Sequence, residues 1–203
     1  MPITLANILN NYLPEHAFQV LSNTIDTYKF SFTVTKERKT KLGDVRVRTG
    51  ETPKITVNST LNCYAFLITF LHELAHLAVY EQYGRKVKPH GIEWKNQFQD
   101  FLLITIKHQL FPDELLKEVL LFTNNPKAST AASPDLMKAL AKYDLNTTNE
   151  KKIYLDDIPV GHTFIFRSQL YKKLEKRRTR VLCERIIDKR QYTISGHAEV
   201  NDK

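Results

Sequence analysis

The chain has 203 residues, 42% of them apolar and 10% aromatic, with a formal net charge of +8 and a pI near 9.4. This composition excludes a wholly disordered chain and a disulfide scaffold, because the apolar share can build a core and the only cysteines are Cys63 and Cys183. The basic balance points to nucleic acid or another polyanion as a partner class, and equally to a plain basic surface.

The first residues, MPITLANILNNYLPEH, lack a basic segment followed by an apolar run, so no signal peptide is expected. Apolar residues at helical spacing predict helices over 4–12 and 15–28, separated by Pro14. KFSFTVTK alternates Phe30, Phe32 and Val34 with polar neighbours and reads as a strand. After it, a turn at Gly43–Asp44, a strand at 45–48, a turn at Gly50 and a strand at 54–57 predict a small antiparallel sheet.

NSTLNCYAFLITFLHELAHLAVYEQYG then predicts a helix of about six turns. Residues 58–60 are its capping candidates, and Gly84 is its left-handed stop. The helix is apolar on nearly every face and should be buried. His72, Glu73 and His76 interrupt the run, which reads as too polar for a bilayer span. Further helices are expected from about Glu93 to Gln109, over 113–122, and in DLMKALAKYD. The polar stretch TNNPKASTAASPD reads as a linker, and from Lys151 onward short β-like runs take over. The expected organisation is a domain over 1–122, a linker and short helix over 123–150, and a small β-rich, basic unit over 151–203. The fold class is α+β. With few cysteines and no CxxC pair, the expectation is a cytoplasmic protein with no membrane partner.

The chemistry lies in FLHELAHLAVYEQYGRKVKPHGIEW, residues 70–94. His72 and His76 stand four apart, so a helix puts both imidazoles on one face within reach of one ion. Glu73 lies about 100° round the helix, beside the ion rather than on it, where a general base belongs. A catalytic metal site wants three protein ligands and one open position. His90 is the candidate third ligand, because Gly84 ends the helix and a chain reversal over 77–89 can return it; Gly91 permits close backbone approach. HExxH alone is a modest signal, and the competing reading is a pair of core histidines satisfied by hydrogen bonds.

The stretch TFLHELAHLAVYEQYGRKVKPHGIEWKNQF, with HELAH, KPHG and Trp94 in order, resembles the SprT-like metalloprotease family, whose members include the eukaryotic protease Spartan. KITVNSTLN resembles the strand leading into that family's metal helix, and the likeness covers about residues 20 to 110. It implies a zincin-like fold, one catalytic Zn2+ on His72, His76 and His90, and Glu73 as general base. It also implies peptide-bond hydrolysis, with DNA-bound or DNA-crosslinked proteins as substrates. Many relatives carry a C-terminal zinc ribbon with two cysteine pairs, whereas this tail has Cys183 alone. His162 and His197 add too little for a tetrahedral site, so the tail is expected to be held by its apolar core.

YKKLEKRRTR (171–180) supplies candidate nucleic-acid contacts at Lys172, Lys173, Lys176, Arg177, Arg178 and Arg180, flanked by Tyr171 and KRQY. A basic strand edge that resists aggregation is the alternative. The leading expectation is a zinc endopeptidase acting on proteins near single- or double-stranded DNA. A nucleic-acid-binding protein with a structural metal and a metal hydrolase of another substrate follow it.

Overall fold

A computed structural model describes residues 4–38, 40–128, 132–144 and 153–202. The chain divides into two units, Met1–Leu145 and Asn146–Lys203. The first contains α1 (Leu5–Asn10), α2 (Ala17–Asp26), β1 (Ser31–Thr35), β2 (Gly43–Arg46), β3 (Lys54–Asn58), α3 (Cys63–Tyr83), α4 (Ile92–Lys107), α5 (Asp113–Asn124) and α6 (Pro134–Ala141). The second contains β4 (Ile153–Tyr154), β5 (Thr163–Phe166), β6 (Gln169–Lys176), β7 (Arg180–Arg185), β8 (Gln191–Ser195) and β9 (Glu199–Asp202). The α+β expectation and a β-rich C-terminal part are both observed.

Helix α3 organises the first unit. Phe66, Leu67, Ile68, Phe70, Leu71 and Leu74 are all fully buried, so the helix is covered on several faces at once. Fully burying each such side chain stabilises by roughly 1.5–3 kcal/mol. Its cap is Asn62, not residues 58–60. The Asn62 side-chain oxygen accepts from the Ala65 N–H at 2.9 Å, while its amide donates to Leu140 O (2.9 Å) and Asp144 Oδ1 (2.7 Å). One side chain thus ties the start of α3 to the end of α6. Leu136, Ala139 and Leu140 of α6 join the same core, so the short helix expected within a linker packs into the first unit. Gly84 ends α3 with φ +64°, as its residue type suggests. Among the described residues α3 is the one helix long and apolar enough to cross a membrane; most of it is buried inside the unit, as in a core helix.

The small sheet is mixed rather than antiparallel. Its order is β1-β3-β2, with β1 parallel and β2 antiparallel to β3. Alternation reveals strands but not which one is central. Here the loop after β1 crosses to the far side of β3 and enters β2 on the opposite edge. Gly43 and Asp44, expected as a turn, are the first residues of that edge strand.

In the second unit the strands form an antiparallel sheet in the order β4-β9-β5-β6-β7-β8. Its core holds Leu155, Phe164, Tyr171, Val181, Cys183 and Val200 among its members. Strand β6 carries Lys172, Lys173 and Lys176 of the basic run; its alternation points Tyr171 and Lys173 inward and Lys172 outward.

Candidate metal centre

The period of α3 places His72 and His76 one turn apart, and Gly84 then ends the helix. The reversal is tighter than expected, because α3 runs to Tyr83. Gly91 N–H donates to Lys88 O at 2.9 Å across a turn with Pro89 in its second position, and His90 is presented from that turn. A Cβ at Gly91 would lie 3.1 Å from Lys88 O, so a side chain there would crowd the turn.

The three Nε2 atoms converge. His76 lies 3.1 Å from His72 and 3.0 Å from His90, and His72 and His90 are 3.4 Å apart. Three nitrogens about 2.05 Å from one tetrahedral ion would stand about 3.3 Å from one another. The observed spacing therefore fits a single ion. Burial first, then repulsion from His76 and His90, lowers His72 to about 3. Burial first, then His90, lowers His76 to about 4, and burial lowers His90 as well. All three imidazoles are thus neutral donors near pH 7, as a metal requires. Among the described residues this is the one group of three or more His, Cys, Asp or Glu that could hold a metal ion.

Trp94, in the first turn of α4 and fully buried, packs against all three rings at centroid distances of 4.7 Å (His72), 5.3 Å (His76) and 4.7 Å (His90). Its indole N–H lies 3.4 Å from His72 O. Restricting ligand rotation in this way is what the surroundings of a metal site supply.

Glu73, 7% exposed, packs against Gly43 of β2. A Cβ on Gly43 would come within 2.6 Å of Glu73 Oε1 and 2.8 Å of Thr69 Cγ2. Only glycine lets the edge strand lie this close to the carboxylate. Burial first and the Asp44 carboxylate second raise Glu73 to about 7, against the pull of Arg38, Lys41 and the Val45 backbone amide. A carboxylate near that value can both accept and return a proton at neutral pH.

The sequence reading missed the network that holds β2 in place. Arg38 donates to Asn58 Oδ1 (2.8 Å) and to Thr56 Oγ1 (3.0 Å) on β3. Asn58, buried, donates back to Lys41 O at 3.0 Å. The crossover loop is thereby clamped to the central strand. The one available signal was KERKTKLG itself, which reads as a basic loop until β3 is known to lie beneath it.

These elements form an open cleft of about 750 Å³, lined by residues 40–45, by Gly84, Arg85 and residues 87–90, and by the three histidines and Glu73. Tyr80 and Arg85 line it. Tyr83 is exposed and does not.

In the second unit Lys172, Lys176, Arg177, Arg178 and Arg180 are exposed. Lys173 is not available to nucleic acid. It is 2% exposed, and its ammonium donates to Leu155 O (2.8 Å), Asp156 O (3.2 Å) and Ile158 O (2.6 Å). The alternation of β6 turns it inward, which a count of basic residues cannot reveal. Cys183 is a buried free thiol and forms no metal-binding group with His162 or His197.

Residues 10–109, the stretch that holds this centre, match the SprT-like family. Over those residues the chain belongs to the SprT-like family. Protein SprT of Pasteurella multocida (strain Pm70) is 47% identical over 49 residues, which cover 23% of this chain and 29% of that protein. The match thus spans under a third of that relative's length. No solved structure matches the chain significantly. In the SprT-like domain of this chain, the HELAH helix and the KPHG turn supply the three converging imidazoles.

Proposed function

We propose that this protein is a zinc metalloendopeptidase with a zincin-like catalytic domain, cleaving proteins bound or crosslinked to DNA in a reducing, cytoplasmic setting. The observation that carries this reading is the convergence of three neutral imidazoles within 3.4 Å in the lining of an open cleft, with Glu73 beside them. A three-histidine set leaves one position open, which distinguishes a catalytic site from a closed structural one. Zinc, when bound, supplies Lewis-acid activation of water and of the scissile carbonyl.

The chain's own residues do the rest. His72, His76 and His90 hold the ion, and Trp94 limits their rotation. Glu73 takes a proton from the attacking water and delivers it to the leaving amine. β2 ends its sheet, so its outer edge offers backbone groups that an extended substrate can pair with as an added strand. That mode reads backbone more than side chains and suits varied protein substrates. The exposed cations of 172–180 other than Lys173 support a DNA contact through phosphates, which weakens steeply with salt.

The test is cleavage of a basic DNA-binding protein by the purified chain, with and without single- or double-stranded DNA, alongside metal quantification. One zinc per chain is expected, with Glu73→Gln retaining the metal and lowering turnover by about 10²- to 10⁴-fold. Bound zinc with turnover unchanged in Glu73→Gln would overturn the assigned base. Zinc without turnover under any condition favours a nucleic-acid-binding protein with a structural metal.

A further inference from the structure

The charges around the cleft are not balanced. Its lining carries two acidic side chains, Asp44 and Glu73, and both are committed. Asp44 is paired with Lys41 at 2.8 Å, and Glu73 is buried against Gly43 of β2. The lining cations that remain are Arg85 and Lys88, in the segment between α3 and His90. Both are exposed, and neither has an ion-pair partner among the described residues. They share the lining with residues 40–45, which lead into β2. A bound dication adds further positive potential to the same space, and a walled cleft focuses that field.

From this we infer that the cleft selects acidic peptide segments, with Arg85 and Lys88 as specificity determinants; the inference rests on the peptidase reading and narrows its substrate class. An extended peptide paired along β2 alternates its side chains between the two faces of the strand. Those turned into the cleft meet Arg85 and Lys88. Aspartate or glutamate there gains a charge partner, whereas lysine or arginine meets like charge. A DNA-associated substrate is then cut in its acidic or neutral segments and not in its basic tails. Nucleic-acid phosphate is the other polyanion these cations could meet. Their position inside the lining of a groove that ends on the metal centre favours a peptide over an open duplex face.

The test uses the zinc-loaded full chain and a panel of internally quenched peptides of one length, with Asp/Glu, Gln/Ala or Lys/Arg flanking the cut bond. Binding of the same peptides to the Glu73→Gln protein is measured in parallel by fluorescence anisotropy. Acidic peptides are expected to show KM and Kd lower than basic ones by about three- to tenfold, as exposed ion pairs allow. The gap should shrink in high salt and reverse in the Arg85→Glu, Lys88→Glu double variant. Cleavage with no charge preference overturns the inference and leaves the peptidase intact. Charge-selective binding that Arg85→Glu, Lys88→Glu reverses, without cleavage, sustains the inference and sinks the peptidase. A DNA oligonucleotide whose binding is lost in the double variant, with no effect of peptide charge, assigns the cations to nucleic acid and overturns the inference.

Discussion

Each unit gathers three lone-pair donors around a point where a cation belongs, and they solve the problem in opposite ways. In the first, His72, His76 and His90 bring three ring nitrogens together with no cation of the chain's own among them. In the second, the carbonyls of Leu155, Asp156 and Ile158 converge on the ammonium of Lys173, a cation fixed covalently to β6. An external ion can be released and leaves a coordination position open, so it suits chemistry. A lysine can do neither, so it suits a scaffold. In the second unit the chain supplies that cation itself, from β6.

The largest expected break in this comparison is chelation. Removing the ion should lower the melting temperature of the first unit while leaving the second unchanged. At an ion concentration about a thousandfold above its Kd, binding stabilises by about 4 kcal/mol, and chelation forfeits that amount. Trp94 is the chain's single tryptophan and packs on the histidines, so its fluorescence follows the first unit alone. Equal sensitivity of both units to chelator would remove the distinction.

Lys173→Met is the converse. It removes the ammonium from three carbonyls of the 155–158 segment, of which Leu155 O keeps the Ile158 N–H at 3.4 Å, and should destabilise the second unit by about 3 kcal/mol, read by amide hydrogen exchange. Zinc content and Trp94 fluorescence should not change. A neutral outcome would mean that water replaces the ammonium at no loss.

Acid should sharpen the contrast further. The metal-free histidines titrate near 3 (His72) and 4 (His76) when folded and near 6.5 when unfolded. Between those values the unfolded chain binds protons that the folded chain does not, so stability falls as pH drops from about 6.5. Glu73, raised to about 7, acts in the opposite sense: its contribution is present in acid and lost as pH rises through about 7. Three imidazoles outweigh one carboxyl, so the metal-free first unit should lose stability on acidification below pH 6.5. Thermal melts at pH 7 and pH 5, with and without chelator, check the sign.

The smallest expected effect is Gly43→Ala. The new methyl group must displace Glu73 Oε1 or the edge strand, and about a tenfold loss of kcat with zinc content unchanged is expected. Wild-type turnover in that variant would show that the contact between β2 and Glu73 has slack.

Much of the three-histidine centre is legible in the chain, and little of its frame is. The helix period sets His72 against His76, and metal chemistry admits few residue types, so a third histidine beyond a glycine stop and a proline stands out. Asn62 as the cap of α3 was less legible, because several polar residues precede the helix and only packing against α6 selects one. The sheet was read with the wrong strand direction because alternation carries no information about neighbours. Lys173 was counted with the surface cations for the same reason: its residue type says surface, and the register of β6 says otherwise.

By itself the sequence determined the buried helix, the three imidazoles that follow from its period and its stop, and a basic β-rich tail too poor in cysteine for a ribbon metal. Only the tertiary structure decided that β2 lies at a sheet edge against Glu73, that Arg38 and Asn58 hold it there, and that Lys173 lies inside. Each of those facts depends on which segments distant in the chain become neighbours. Local propensity has no term for that choice; it is made by the packing of one core against another element's register.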